Sequence, residues 1–321
     1  QMELSRQMLL LTAENYGSYF LHITKIKVTN YNAKNNICEL AYRPFDNRWT
    51  VYGSIFMDRH RSEIQKNIFG KKNIILCLGQ EGSSLGDSEW SLVYCTDKVT
   101  DKNMIPRGGI YLFPMIIYDG MLKYVNFSPD ILQNIENRVG LQLQDVEDEE
   151  RKENGFLAID LIDYIYAVLH GVTYRDTYHD FLQNDFPAIP YPASADYFFK
   201  MAELGKRLRY LHELKGIDRK DLITTYPVIG TKDNNVIKTH VYQETNEGIG
   251  RVWINKEQYF DGVPLEAWNM IIAGYKSLEK WLKDRKDKHL TGDEIIHFQK
   301  MVVALVKTIR TQEEIDEIIE L

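Results

Sequence analysis

The chain has 321 residues, 44% hydrophobic and 26% charged, a globular composition with room for one large domain or two ordinary ones. Its net charge of −7 argues against a uniformly basic nucleic-acid binder, so any phosphate contact must come from a local basic patch. The three cysteines, Cys38, Cys77 and Cys95, are far apart and form no CxxC pair, which reads as reduced, buried thiols in a cytoplasmic protein with no zinc site.

In chain order, residues 19–29 alternate loosely and predict a strand. Residues 37–42 and 48–53 read as a hairpin-like pair around the corner Tyr42-Arg43-Pro44-Phe45-Asp46-Asn47-Arg48-Trp49. Pro44 fixes its own φ and pushes Arg43 toward extended geometry, and Asp46-Asn47 supplies turn chemistry. Two readings of this corner are open. Its guanidinium groups and rings can meet phosphates or bases, or Asp46 can pair with Arg43 or Arg48 over buried rings, the commoner outcome for such clusters. A short polar helix is expected over 57–66, carrying Arg59 and Arg61, with Lys71 and Lys72 just beyond it. A charge run of this kind is usually a solvated face.

Residues 73–79 form a short apolar run, hence a buried strand, followed by a glycine- and serine-rich loop containing Gln80 and Ser83. That loop lacks GK[ST] and GxGxxG, so it is no phosphate-binding loop of a familiar kind. Strands are expected at 90–96 and 110–118, separated by a polar loop with Lys98, Lys102, Asn103 and Arg107. The acidic segment 142–154 marks a boundary or a surface crossing. Beyond it, Phe156 to Leu169 has a helical apolar stripe, and a second short helix is expected from Tyr174 to Phe181. Pro187, Pro190 and Pro192 force an extended hinge, and Ser194 is placed to cap a helix running to about Lys215. Strands are expected at 224–229, 236–242 and 250–254, and a helical pattern from Pro264 onward. Capping boxes at Thr291 to Glu294 and Thr311 to Glu314 predict two terminal helices.

The whole reads as α/β of the α+β kind: a β-rich lobe over 1–150 with a mixed or antiparallel sheet, then a helix-rich lobe over 151–321 with a few strands. No apolar run approaches membrane-spanning length. The motifs of familiar catalysis are missing: no GxSxG, no HExxH, no [DNS]-P-P-[YFW] tetrapeptide for adenine methylation and no glycine-rich turn for S-adenosylmethionine. Asp160 and Asp163 resemble an acidic pair but sit on the polar side of an apolar helix and read as solvated. His170, His179, His240 and His297 are isolated and read as satisfied or exposed.

Three stretches together resemble one family. The corner Tyr42 to Trp49 resembles the YRPFD-x-R signature of type ISP restriction–modification enzymes, single polypeptides that combine nuclease, helicase, adenine methyltransferase and target-recognition parts. Asp163 to His170, with Tyr174-Arg175 and Phe186 to Pro190, is similar to a run in the recognition regions of large adenine methyltransferases. Gln258 to Ala267, Gly274-Tyr275 and Lys280 to Arg285 resemble their C-terminal ending, in register across roughly 35–320.

The resemblance implies a target-recognition module that binds a specific duplex DNA sequence and positions an adenine for flipping into a methyltransferase upstream of Gln1. It implies no cofactor on this chain, with S-adenosylmethionine bound by the methyltransferase part. The partners it implies are duplex DNA and the methyltransferase, helicase and nuclease parts of the same polypeptide. Shared motifs serve enzymes with different targets, so base readout should lie between them. The candidates are Arg59, Arg61, Lys71, Lys72, Gln80, Ser83, Lys98, Lys102, Asn103 and Arg107, with Arg48 as a phosphate contact. Two alternatives stand beside this: a docking module within the same enzyme type without base readout, and a free-standing enzyme of unfamiliar chemistry.

Overall fold

The computed structural model of the chain describes residues 33–53, 61–79, 90–227 and 232–321. The strand expected at 19–29, Arg59, and the loop holding Gln80 and Ser83 lie outside the described residues.

A 3-10 turn, Ala33–Asn36, leads into β1 (Ile37–Arg43), and β2 (Asp46–Val51) returns antiparallel to it, with Leu40 opposite Arg48. Of the helix expected over 57–66, a single turn, α1 (Ser62–Gln65), is formed in the described part. Arg61 precedes it in the left-handed region, φ 45°, and no side chain caps it. Then follow β3 (Ile75–Gly79), β4 (Val93–Thr96), β5 (Val99–Thr100) and β6 (Ile110–Pro114). The strand expected at 110–118 is split. Pro114 has no N–H to continue the ladder, and β7 (Ile116–Asp119) starts a separate hairpin with β8 (Leu122–Val125).

Helix α2 (Pro129–Val139) was not foreseen from the apolar pattern, although its ends carry clear signals: Pro129 at the first turn and Gly140 in the left-handed region at its close. The acidic segment is a crossing: β9 (Gln142–Leu143) and β10 (Gly155–Phe156) pair in parallel on either side of it. Helices α3 (Ala158–His170), α4 (Val172–Thr177), α5 (His179–Leu182) and α6 (Ala195–His212) follow. The Ser194 side chain accepts from Tyr197 N at 3.2 Å, the cap that the sequence proposes. An antiparallel meander comes next, β11 (Val241–Asn246), β12 (Ile249–Trp253) and β13 (Tyr259–Pro264). Of the strand expected at 224–229, the described residues 224–227 form none, and of that expected at 236–242 only Val241 and Tyr242 lie in a strand. Thr225 makes only an isolated bridge to Asp261, and the strand begins at Val241.

The chain closes with α7 (Leu265–Asn269), the small hairpin β14 (Ile271–Ile272) and β15 (Tyr275–Lys276), α8 (Ser277–Lys283) and α9 (Gly292–Ile318). Thr291 and Glu294 form the reciprocal capping box. The second box at Thr311 is not a helix start. Thr311 is buried in the middle of α9, and its hydroxyl donates to Lys307 O at 2.8 Å, which satisfies it inside the continuous helix.

The architecture is α+β, strand-rich first and helix-rich later. β2-β1-β5 and β4-β3-β6 form two small sheets, the first antiparallel between β1 and β2 but parallel between β1 and β5. One apolar cluster runs through both halves, from Ile75, Trp90 and Cys95 to Tyr166, Phe198, Phe298 and Met301. All three cysteines are free; burial pushes the Cys38 thiol up to about 11 and that of Cys77 to about 12.

Helices α3 and α6 pack closely because Gly205 has no side chain: a Cβ there would lie 1.8 Å from Asp163 O. The same crossing overturns the solvated reading of the two aspartates. Asp163 is 2% exposed and takes two hydrogen bonds from Arg209, at 2.7 and 2.8 Å. Asp160, also buried, accepts from both Arg151 nitrogens and from Leu157 N. Burial pushes Asp163 up to about 6, with Arg209 opposing the rise. Asp163 is consumed in holding α3 to α6, and Asp160 in capping α3 and pairing with Arg151 of the acidic crossing.

Candidate nucleic-acid interface

The corner between β1 and β2 is built on a left-handed residue. Phe45 has φ 63°, unusual for a bulky side chain, and it is held from both sides. Its N–H reaches the Tyr94 hydroxyl at 3.4 Å, and its carbonyl oxygen lies 2.7 Å from His297 Nε2. Tyr94 in turn donates to His212 O at the end of α6. Asp46 is 2% exposed and accepts from Arg48 Nη2 at 2.8 Å and from Arg285 at 2.9 and 3.2 Å. Burial alone would raise the Asp46 pKa, but the hydrogen bonds and charges of Arg285 and Arg48 hold it below the usual carboxylate value. Arg285 also lies 3.8 Å from the ring of Trp281.

The sequence motifs therefore meet in space. The first and the third are joined by the Asp46–Arg285 pair, and the second is pinned on itself. Tyr164 and Tyr174 hydroxyls donate to Pro190 O and Ala188 O, fixing the proline-rich hinge against α3 and α4. Motif residues here serve as scaffold. The Phe45–His297 and Asp46–Arg285 bonds join residues on either side of the 150/151 division read from the sequence.

Above this scaffold, Arg43 and Arg48 flank the Tyr42 ring, their guanidinium carbons 3.9 and 3.6 Å from its centroid, and Trp49 is 64% exposed. Arg43 Nη1 reaches Asp101 at 2.9 Å, which ties the corner to the 97–108 loop. Asp101 also accepts from Asn103 N, and Tyr275 donates to Asn103 O at 2.8 Å. Lys102 and Arg107 are exposed in this loop, Arg107 with φ 60°. Lys98 is held by Asp97 at 2.6 Å and by Glu39 at 3.7 Å.

The candidates before this loop are placed differently. Arg61 donates to Ile110 O at 2.8 Å. Lys71 lies 5.2 Å from the Tyr118 ring centroid, and Lys72 is paired with Glu149 of the acidic crossing. Lys123 beside them pairs with Glu147. The structure thus ties the 97–108 loop, which carries Lys98, Lys102, Asn103 and Arg107, to the corner that carries Arg48, and sets Lys71 beside the Tyr118 ring and Lys72 beside Glu149. Arg43, Asp101 and Tyr275 complete the corner cluster. Arg43 is legible as a corner residue, but its partners Asp101 and Tyr275 lie 58 and more positions away and carry no local signal.

The model of the Type ISP C-terminal specificity domain matches residues 21–321. The chain belongs to this family. Among solved structures, this Type ISP specificity domain is similar to the ATP-dependent Type ISP restriction-modification enzyme LlaBIII bound to DNA, with a TM-score of 0.66 and 19% identity over 95% of this chain. It is similar to the DrdV–DNA complex, with a TM-score of 0.66 and 20% identity over 88% of the chain. It is also similar to a nuclease-deletion mutant of the Type ISP enzyme LlaGI in complex with a DNA substrate mimic, at 0.58 and 17% over 87%. At these identities the likeness is one of fold. The domain spans 20%, 29% and 20% of those three chains. Comparison with curated proteins gives no match. Among the described residues, no helix is long and apolar enough to cross a membrane and no group of three His, Cys, Asp or Glu side chains is placed to hold a metal.

Proposed function

We propose that this specificity domain is the target-recognition module of a restriction–modification enzyme. It binds a specific duplex DNA sequence so that an N6-adenine methyltransferase part of the same polypeptide acts at an adenine within it. S-adenosylmethionine would be bound by that methyltransferase part, and this chain supplies recognition alone. The observation that carries the reading is the corner: a rigid, buried clamp of family residues presenting an exposed tryptophan, stacked arginines and a polar loop. Recognition groups on loops over a rigid scaffold are the common arrangement for such modules. Membership of the Type ISP specificity family, and fold relatives described as bound to DNA, support it.

In this arrangement Arg107 is suited to take guanine bidentately and Asn103 adenine, while Lys102 and Arg48 are suited to phosphates; Lys98 is already held by Asp97 and Glu39. A selection from randomised duplexes tests the reading. A preferred sequence is expected, and its absence at low salt would remove the reading.

The β7–β8 hairpin favours docking as a separate task of the same domain. Met121 and Leu122 at its tip are 101% and 69% exposed, and its neighbours are the acidic residues 145–150, which disfavour DNA.

A further inference from the structure

Helices α6 and α9 enclose an open groove of about 460 Å³ on the helix-rich half. Lys206, Arg207, Lys215, Lys307 and Arg310 line it with Glu203 and Glu314, and Lys215 is itself paired with Glu213 at 2.5 Å, so the lining stays net positive on a chain of net charge −7. Arg207 reaches Glu314 across the groove at 2.5 Å, and Lys206 lies 3.8 Å from Glu203. Lys307 and Arg310 are both exposed, one turn apart on α9, and among the described residues no carboxylate lies within ion-pairing distance of either. Two uncompensated cations at this spacing cost helix stability unless an anion meets them.

One ion pair joins the groove to the loop of the candidate interface. Lys215 at its rim is 3.5 Å from Asp97, the first residue of the 97–108 loop. We infer that this groove is a second DNA contact, in which Lys307 and Arg310 hold backbone phosphates of the duplex that the 97–108 loop reads. The inference rests on the target-recognition reading above. Cations spread over two helices of an open groove suit a polyanion better than a small anion, which needs convergent donors. The contact gives affinity without sequence information, because phosphates are the same at every base pair.

The test is duplex binding by fluorescence anisotropy across a salt series, comparing the chain with Lys307→Gln/Arg310→Gln and with the charge-retaining Lys307→Arg/Arg310→Lys. Loss of two phosphate contacts should make the slope of log affinity against log salt shallower by about 1.8. Affinity should fall by the same factor for a preferred and a scrambled duplex, while the charge-retaining variant keeps the original slope. An unchanged slope in the Gln variant overturns the groove contact and leaves target recognition standing. An equal loss in the charge-retaining variant also overturns it, since packing would then be responsible. Normal DNA binding with lost association to the methyltransferase part overturns it in favour of protein docking. No duplex binding by the unaltered chain removes both readings together. Thermal melting checks that each variant is folded.

Discussion

Replacing Asp46 by alanine tests how the corner is held. Asp46 is 2% exposed and takes hydrogen bonds from Arg48 and Arg285. Breaking a buried ion pair by removing one partner costs about 3–5 kcal/mol, because the remaining charge is left uncompensated. Two features place this case at the lower end. Arg48 has 36% of its side chain in solvent and can turn to water, and Arg285 keeps Glu294 at 3.2 Å. The expected loss is therefore about 3 kcal/mol, against less than about 1 kcal/mol for Arg48→Ala, whose charge is half-exposed. Urea unfolding of the two variants measures both. If Asp46→Ala cost no more than Arg48→Ala, the corner would not depend on the clamp to Arg285, and the scaffold role assigned to the shared motifs would be wrong.

Further outcomes follow from the same structure. Gly205→Ala should destabilise at the upper end of about 1–3 kcal/mol or beyond, since the new methyl meets the Asp163 backbone carbonyl and neither helix can yield cheaply; native-like melting would refute the packing described. Burial holds His212 down at about 3, against an ordinary 6.5, with the Arg175 charge adding to the effect. The unfolded chain binds a proton there that the folded one refuses. This contribution is thus full above pH 6.5 and is lost as pH falls toward 3, about 2 kcal/mol at pH 5. Between pH 7 and pH 5 the unaltered chain should lose about that much more stability than His212→Gln, measured by urea unfolding at the two pH values. Lys72→Gln should leave duplex binding unchanged, because Glu149 already neutralises that lysine. Arg107→Gln should weaken binding to the preferred duplex by about 1–3 kcal/mol and relax its preference at one base pair, as read by competition binding.

The local features were legible in the sequence. The Ser194 and Thr291 caps, the buried run before Gly79 and the apolar stripe of α3 each follow from short-range rules and appear where those rules put them. The same rules failed where a distant partner decided the outcome. Thr311 carries a capping sequence, yet apolar neighbours on α9 bury it and the helix runs on. Asp160 and Asp163 look solvated until Arg151 and Arg209 are placed beside them, 9 and 46 residues away. The corner itself was identified, and its ion pair with Arg48 was one of the pairings considered. Its main partner, Arg285, is 239 residues distant and invisible to any local pattern. For the candidate interface, the sequence marks 97–108 as a polar loop between strands. That it shares one corner with Arg43 and Arg48 depends on the parallel pairing of β1 with β5. The carboxylate that pairs with Lys72, Glu149, lies 77 residues on and gives no local signal.

The most direct test of the central claim is photocrosslinking of this chain to its selected duplex carrying iodouracil at successive positions, followed by identification of the modified peptides. The account predicts cross-links in the 97–108 loop and at the Trp49 corner from bases within the preferred sequence, and none from a scrambled duplex. Cross-links confined to the acidic 145–150 flank or the β7–β8 hairpin, or equal yields from both duplexes, would contradict it.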